Sequence, residues 1–239
     1  MSTERLFESD PYRRSCDTQI RMVHPEGVEL EATVFYPEGG GQPGDTGVLR
    51  LADGRELRVA DTRKGVEPGS IVHVLEEVPE GLASGEPVDA VIDWERRHRH
   101  MRMHTCLHLL CSLVDAGVTG GSIGAEKARL DFDLPESTLD KEALSAELNV
   151  LVERDLPVAM RWISDEELDA APELVRTMSV SPPRGAGRVR LVEVQDADLQ
   201  PCGGTHVART GEIGAVVVSK IEKKGRQNRR VIIRFAEVG

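Results

Sequence analysis

The stretch that decides the fold is His104-Thr105-Cys106-Leu107-His108, together with Cys202-Gly203-Gly204-Thr205-His206 far downstream. On a helix, an i, i+4 spacing places both imidazoles of the first motif on one face, where they can bind one ion. The second motif has the same spacing, and its glycine pair predicts a turn that bends its cysteine and histidine toward a common point. Three imidazoles and one thiolate suit zinc, whereas magnesium and calcium prefer oxygen ligands. We therefore expect one zinc ion, bound by His104, His108, Cys202 and His206, to join the two ends of a domain.

Some features of this site stay open at the level of sequence. His100 lies on the same helical stripe as His104 and His108, so it could replace His108 as a ligand, and spacing alone does not decide. Four protein ligands would close a tetrahedral site, which is the structural arrangement, whereas a hydrolytic site keeps one position open. If His206 binds weakly, the open position would admit the water needed to hydrolyse an ester. Cys202 could instead act as a nucleophile, although no adjacent free base accompanies it.

The composition describes a chain with a sizeable but aromatic-poor core. It has 239 residues, of which 39% are hydrophobic and only 3% aromatic, enough for about two domains built on aliphatic side chains. No stretch approaches the ~20 apolar residues of a membrane span, and the N-terminus lacks the apolar segment of a signal peptide. The four cysteines, which are Cys16, Cys106, Cys111 and Cys202, show no disulfide framework. We therefore expect a cytoplasmic protein.

Charge is distributed unevenly along the chain. The net charge of −11 argues against non-specific binding to nucleic acid. Residues 1–93, however, contain 9 Lys and Arg against 19 Asp and Glu, whereas residues 94–239 contain 21 against 22. Almost all of the acidic excess is therefore in the N-terminal part, and the C-terminal part is close to neutral.

Residues 1–93 are predicted to form a small all-β, barrel-like domain. Period-2 alternation predicts two strands between residues 18 and 36 and three more around Leu57–Val59, Ile71–Leu75 and Val88–Ile92, with no helical period before Asp93. Between them lies the glycine-rich loop Glu38–Gly47, whose backbone could approach a ligand closely or simply connect a hairpin.

Residues 94–239 are predicted to form an α+β domain that contains the zinc site. Helical spacing predicts a helix from Trp94 to Val114 and a second helix with Leu144, Leu148 and Val152 on one side. Ser164 and Glu167 match a capping box at the start of a short helix. Strands are predicted at 128–134, 158–162, 189–194, 215–221 and 231–235, and the segment Thr119–Gly124 is interpreted as a connector.

Two basic clusters flank the metal motifs in sequence. One comprises Arg96, Arg97, Arg99 and Arg102. The other comprises Lys220, Lys223, Lys224, Arg226, Arg229, Arg230 and Arg234, with Glu222 as its single acid. Such runs are usually solvated faces, but their position would also allow them to bring a phosphate backbone to the site.

Taken together, these motifs resemble the AlaX family, the free-standing form of the alanyl-tRNA synthetase editing domain. The resemblance extends from Phe35 to the C-terminus. It rests on Phe35–Gly47, His104–Leu110, Gly121-Ser122 with Arg129–Phe132, and Cys202–His206 with Arg209–Gly214. Editing domains of threonyl-tRNA synthetase share the metal motifs, but the loop containing Gln42 is similar to the alanyl branch. The chain is most similar to the medium-length form that acts in trans.

The resemblance implies a deacylase that hydrolyses the ester joining serine or glycine to tRNA(Ala). It implies His104, His108, Cys202 and His206 as zinc ligands and Gln42 as a residue of the editing pocket. Cys106 departs from the small residue that is common in the family, and helical spacing predicts that it packs away from the metal. The site would have to recognise the serine hydroxyl, because an apolar synthetic pocket discriminates poorly against one added hydroxyl. Gln42, Thr46 and Thr105 are the candidates, and Lys220, Lys223, Lys224, Arg226, Arg229 and Arg230 would bind acceptor-stem phosphates.

Three other functions are compatible with the same residues. A zinc-stabilised RNA-binding module without catalysis would use a closed four-ligand site naturally. A deacylase for another aminoacyl-tRNA, or a hydrolase of small esters, would keep the metal chemistry but change the substrate.

Overall fold

The structure is a computed structural model that describes residues 2–135, 139–178 and 187–236. Contacts divide the chain into two compact units. The first comprises the chain up to Gly39 together with Pro43–His98, and the second comprises Gly40–Gln42 together with the chain from Arg99 onward. The tripeptide Gly40–Gln42 thus belongs to the second unit although the sequence on either side of it belongs to the first. No helix of the described residues has the length and apolar character needed to cross a membrane.

The first unit is a closed antiparallel barrel. Its elements are β1 (Glu4–Arg5), α1 (Leu6–Ser9), β2 (Ser15–His24), β3 (Gly27–Leu30), β4 (Ala32–Thr33), β5 (Gly47–Leu51), β6 (Glu56–Lys64), β7 (Ile71–Leu75) and β8 (Pro87–Ile92). Six strands close the barrel in the order β2, β3, β7, β6, β5, β8, and every neighbouring pair is antiparallel. Aliphatic side chains such as Ile20, Leu30, Leu49, Val59 and Ala90 fill its interior. The predicted barrel is confirmed.

Three elements of this unit were missing from the sequence-based prediction, and one of them is the two-residue strand β1. Strand β5 begins at Gly47, directly after the glycine-rich loop, and only Leu49 and Leu51 of its five residues are buried. Such a short alternation is not distinguishable from a loop by period alone. The third is α1, a single helical turn that buries Phe7 in a unit expected to contain only strands.

The second unit is a mixed α and β structure with two sheets. Helix α2 (Trp94–Leu113) begins in the first unit and continues into the second, and the other elements of the second unit come after it in the chain. They are β9 (Val118–Ile123), β10 (Lys127–Asp133), α3 (Lys141–Glu153), β11 (Val158–Ile163), α4 (Asp165–Asp169), β12 (Val189–Val194), β13 (Asp198–Pro201), β14 (Val216–Lys224) and β15 (Asn228–Phe235). Short 3-10 helices occur at Pro172–Leu174 and Thr210–Ile213. The strand orders are β14-β15-β10-β9 and β11-β12-β13.

Local signals account for most of these elements. The carboxylate of Asp140 accepts a hydrogen bond from Ala143 N and caps α3, whose apolar face is buried. The predicted capping box at Ser164 and Glu167 is present at the start of α4. Strand β10 follows the alternation that predicted it, whereas β12 is buried at five of its six residues and β13 is too short to carry such a signal.

The interpretation of Thr119–Gly124 as a connector is wrong. These residues form most of β9, which pairs with β10 so that Gly121 lies opposite Leu130. Two adjacent glycines have no side chains to show alternation, so the strand is specified only by its ladder of backbone hydrogen bonds. A Cβ on Gly121 would meet Leu130 Cδ2 at 3.0 Å, and one on Gly41 would meet Gly121 O at 3.0 Å. The missing side chains let Ile123 N donate to Gly41 O at 2.8 Å, which fixes the position of Gly40–Gln42 in this unit.

Candidate metal centre

Four potential metal ligands converge in the second unit. Helix α2 contributes His104 and His108, and the loop after β13 contributes Cys202 and His206; one ligand atom from each lies within 4.8 Å of all the others. Cys202 Sγ is 3.4 Å from His104 Nε2 and 3.3 Å from His206 Nε2. The three imidazoles are buried and Cys202 is half-buried. Within the part of the chain that the structure describes, this cluster includes His108 and not His100.

Each imidazole of the cluster is oriented through its other nitrogen. His104 Nδ1 lies 2.9 Å from the side-chain carbonyl Oε1 of Gln42, and His108 Nδ1 lies 2.9 Å from Oδ2 of Asp198. Because an amide carbonyl or a carboxylate can only accept, both Nδ1 atoms carry a hydrogen, and Nε2 is the nitrogen that each neutral ring would offer to a metal. His206 Nδ1 lies 3.1 Å from Thr105 Oγ1, which also accepts from Val207 N at 3.3 Å. This is how metal-binding histidines are held in proteins.

Asp198 is the supporting residue that sequence reasoning missed. Its carboxylate is buried, and Oδ2 also accepts a hydrogen bond from Gln200 Nε2 at 2.7 Å. Asp198, Gln200 and Cys202 are two residues apart along β13 and its continuation, so a strand assignment would have placed them on one face. Sequence reasoning did not identify β13, and the alternation was therefore not recognised.

Gln42 is packed against the metal loop from within the second unit. Its Oε1 accepts from Thr205 N at 3.1 Å, and its Nε2 donates to Thr205 Oγ1 at 2.8 Å. The glycine at 204 makes this approach possible, since a Cβ on Gly204 would lie 2.1 Å from His104 Cε1 and 2.9 Å from Gln42 Oε1. The amide of Gln42 therefore holds both His104 and the Cys202–His206 loop. Any contact between Gln42 and a substrate stays a prediction.

The electrostatics of the cluster favour a deprotonated cysteine. Burial opposes the thiolate of Cys202, but His104 and His206 outweigh it and lower the pKa of this thiol well below 9.0. Burial, reinforced by the neighbouring His104, also lowers the pKa of His206 well below 6.5. Burial would lower the pKa of His108 as well, but its hydrogen bonds with Asp198 and Cys202 raise it to about 9. Cys202 is therefore held as the thiolate, the form in which cysteine binds zinc, whereas His108 would release a proton on binding the ion.

Arg190 anchors the loop that carries Cys202. It lies on β12 and is buried; its Nε donates to Cys202 O at 2.9 Å and its Nη2 donates to Gly204 O. This loop has little regular structure of its own, so these two hydrogen bonds help to fix the thiolate in place. Sequence reasoning did not single out Arg190, because an isolated arginine in a strand carries no distinguishing signal.

The remaining predicted site residues have different positions. Thr105 is fully buried and its hydroxyl supports His206. Thr46 belongs to the first unit, where its carbonyl oxygen accepts from Asp93 N at 2.7 Å. Cys106 is fully buried outside the cluster, as helical spacing predicts, and burial raises the pKa of its thiol to about 12.

The predicted RNA-binding residues are divided between the two faces of the hairpin formed by β14 and β15. Residues directly opposite each other in antiparallel strands share a face. The register places Lys223 and Arg229 beside Phe132, and it places Arg230 beside Asp131 on the other face. Arg226 lies at the turn. Three members form salt bridges, Arg230 with Asp131 at 2.7 Å, Lys220 with Glu222 at 2.5 Å and Lys224 with Glu222 at 3.2 Å.

The first basic cluster is largely engaged in structural contacts. Arg97 is fully buried, and its guanidinium pairs with the carboxylate of Asp45 in the first unit. Arg102, in the second unit, donates to Ile213 O through Nε at 2.9 Å and Nη2 at 2.6 Å. The prediction that this run carries a phosphate backbone is therefore wrong for Arg97, because a fully buried and paired guanidinium has no surface to offer.

Comparison with known proteins assigns a class to this fold and site. Residues 189–232 match the family model described as the second additional domain of threonyl and alanyl tRNA synthetases, and residues 10–96 match that of class II (A) tRNA synthetases. The chain is 37% identical over 238 residues to the alanyl-tRNA editing protein AlaX-M of Methanosarcina barkeri, which covers 96% of this chain and 97% of the relative. The AlaX-L protein of Pyrococcus horikoshii is 35% identical, covering 95% of this chain and 57% of the relative. An alanine–tRNA ligase of Sulfurisphaera tokodaii is 35% identical, covering 92% of this chain and 25% of the ligase.

The chain belongs to the AlaX family of alanyl-tRNA editing proteins. The predicted resemblance is thus confirmed at the level of the family.

Proposed function

We propose that this protein hydrolyses the ester bond between serine or glycine and tRNA(Ala), acting in trans on tRNA that a synthetase has mischarged. The observation that carries the proposal is the convergence of His104, His108, Cys202 and His206, each oriented or deprotonated by its surroundings. The relatives that this chain matches over nearly their whole length are alanyl-tRNA editing proteins by name, which supports the same activity. Such a protein would work in the cytoplasm, where translation takes place.

The cluster fits zinc as its resident metal. Three imidazoles and a thiolate match the ion's preference, and the ligand atoms are close enough to share one ion. The Nδ1 atoms of His104 and His108 each face an oxygen that can only accept a hydrogen bond, which orients both rings. When bound, zinc would polarise the ester carbonyl and make an attacking water more acidic.

The surrounding residues would hold and orient these groups. Gln42 and Asp198 fix the imidazoles of His104 and His108, and Arg190 fixes the loop. The hydroxyl of Thr105 already contacts His206, and the amide of Gln42 already contacts His104 and Thr205. If either residue recognises the serine hydroxyl, the same polar atoms would have to make both contacts. Thr46 is the third candidate for this recognition. The hairpin residues Lys223 and Arg226 would contact tRNA phosphates.

A non-catalytic, zinc-stabilised RNA-binding module is the second candidate function. The observation that favours it is the presence of four protein ligands, which would close a tetrahedral site. It differs from the editing proposal in one measurable respect, because it predicts tRNA binding without release of an amino acid.

Release of serine from Ser-tRNA(Ala) tests the proposal, measured beside Ala-tRNA(Ala) and Ser-tRNA(Ser). We expect rapid loss of serine from tRNA(Ala) alone, and loss of this activity in Cys202→Ala. Cys16→Ala is the matched control, because Cys16 is a buried free cysteine of the barrel. If folded, zinc-loaded protein binds tRNA(Ala) but releases no amino acid, the RNA-binding module replaces the enzyme.

A further inference from the structure

An exposed tryptophan stands out in a chain that has only two. Trp162 lies on β11, an edge strand of the three-stranded sheet, and 41% of its surface is exposed. The guanidinium carbon of Arg188 lies over its ring, 4.3 Å from the centroid. Large aromatic side chains are usually buried, and an exposed one beside a cation is a common feature of binding surfaces. The local strand requires no indole at this position.

The sheet register places Trp162 in line with the metal loop. Trp162 lies directly opposite Arg190 on β12, and Cys202 N donates to Arg190 O at 3.0 Å. Trp162, Arg190 and Cys202 therefore lie side by side in a row that runs across the sheet. Neighbouring strands are separated by just under 5 Å, which puts the backbones of Trp162 and Cys202 about 10 Å apart. This separation is comparable to the length of a nucleoside.

The same face of this sheet carries the residues that organise the metal centre. Directly opposite residues share a face and alternate residues of a strand return to it, so Trp162 is on the side of Arg190, Gln200 and Asp198. Arg190 adds a buried positive charge, and its Nη1 has no hydrogen-bond partner among the described residues. A ligand that reaches from the indole to the cluster would therefore pass two guanidinium groups, those of Arg188 and Arg190.

We propose that Trp162, with Arg188 behind its ring, stacks the base of the 3′-terminal nucleotide of the aminoacyl-tRNA while the ester lies at the metal cluster. This inference rests on the proposed function and specifies how its substrate is held. Stacking on an aromatic ring suits an unpaired terminal base, because it needs no base-pairing edge, and an arginine on the other face strengthens the platform. The guanidinium of Arg188 would also attract the adjacent phosphate.

Fluorescence tests the stacking directly and does not depend on hydrolysis. In a Trp94→Phe background, Trp162 is the only tryptophan, so its emission reports on this surface alone. We expect deacylated tRNA(Ala) to quench this emission strongly, and the same tRNA lacking its terminal adenosine to quench it much less. Equal quenching by the two tRNAs would overturn the proposal.

Kinetics provide the second test. We expect Trp162→Ala to raise KM for Ser-tRNA(Ala) about tenfold or more. Its kcat and zinc content should stay near those of the wild type, because Trp162 is not one of the four clustered ligands. Trp162→Phe should recover most of the loss, and Arg188→Gln should show a smaller increase in KM. An unchanged KM in Trp162→Ala would sink the stacking proposal and leave editing intact.

The two proposals fail in different ways. If the wild-type protein releases no serine, the editing function fails, whereas the fluorescence comparison still decides whether the indole binds the terminal base.

Discussion

At the scale of single residues, the metal cluster is held by side chains that lie outside it. His104 and His108 are oriented by Gln42 and Asp198, each with an acceptor oxygen 2.9 Å from Nδ1. Both partners are buried, so neither orientation is maintained by solvent. The cluster thus depends on a second layer of hydrogen bonds drawn from distant parts of the chain.

Replacing Asp198 with asparagine should weaken metal binding without removing a ligand. Asparagine keeps the shape but loses the negative charge that orients and polarises His108, and such changes typically lower metal affinity 10- to 100-fold, as a rough guide. Competition with a chromogenic chelator would measure the affinity. Asp196→Asn is the control, because Asp196 is exposed and its positive φ of 57° is one that asparagine adopts readily. Equal affinities of the two variants would contradict a supporting role for Asp198.

At the scale of elements, the barrel contains a buried histidine that the metal site does not use. His73 on β7 is fully buried; its Nδ1 donates to Val28 O at 3.2 Å and its Nε2 accepts from Thr33 Oγ1 at 2.7 Å. Burial lowers its pKa from 6.5 to about 4, and this effect outweighs Val28 O and the nearby Glu29, which raise it. The neutral ring satisfies both of its nitrogens, so protonation would break the contact with Thr33.

The stability of the barrel should therefore decrease in acid. Between pH 6.5 and 4 the unfolded chain binds a proton at His73 that the folded chain does not, so this contribution is complete above pH 6.5 and lost as pH falls toward 4. At about 1.4 kcal/mol per pKa unit, it amounts to about 3 kcal/mol. Denaturant unfolding across this range should show a shallower pH dependence for His73→Gln than for the wild type. Thr33→Val should lose stability and show a slope between those of His73→Gln and the wild type, because it removes the hydroxyl that donates to the neutral ring. Identical slopes for His73→Gln and the wild type would refute the assignment.

At the scale of the whole molecule, the chain carries a net charge of −11 and yet belongs to a family whose members are named for a tRNA. The acidic excess is in residues 1–93, and many basic side chains of the remainder are already paired with acids. Lys223 and Arg226 are exposed and form no salt bridge with any residue in the described ranges. Binding of tRNA should therefore depend on few phosphate contacts.

The salt dependence of tRNA binding tests this expectation. Replacing Lys223 and Arg226 with glutamine should reduce the slope of log affinity against log salt concentration by about 1 to 2, since each phosphate contact contributes roughly 0.7 to 0.9. Filter binding or anisotropy at several salt concentrations would measure it. Lys141→Gln, at the exposed start of α3, should leave the slope unchanged. A wild-type slope in the double variant would exclude the hairpin turn from the phosphate contacts.

Much of the architecture was predictable because the signals are local. Alternation identified most barrel strands, helical spacing identified α2 and α3, and the capping box at Ser164 identified α4. The strands that were missed, β1, β5, β9 and β13, are short or contain glycines. Long-range backbone pairing specifies them rather than side-chain pattern. The domain boundary at residue 93 stays a prediction.

The sequence by itself determined which side chains could bind a metal, because ligand type and an i, i+4 spacing are properties of neighbouring residues. Spacing left His100 and His108 as alternatives, the family resemblance favoured His108, and the tertiary structure places His108 in the cluster. Only the tertiary structure showed that Asp198 and Arg190 hold the cluster and that Trp162 lies in line with it. These relations join residues that are far apart in the chain, and strand register sets which of them meet. Register is fixed by the packing of the whole sheet, so no short stretch of sequence contains it.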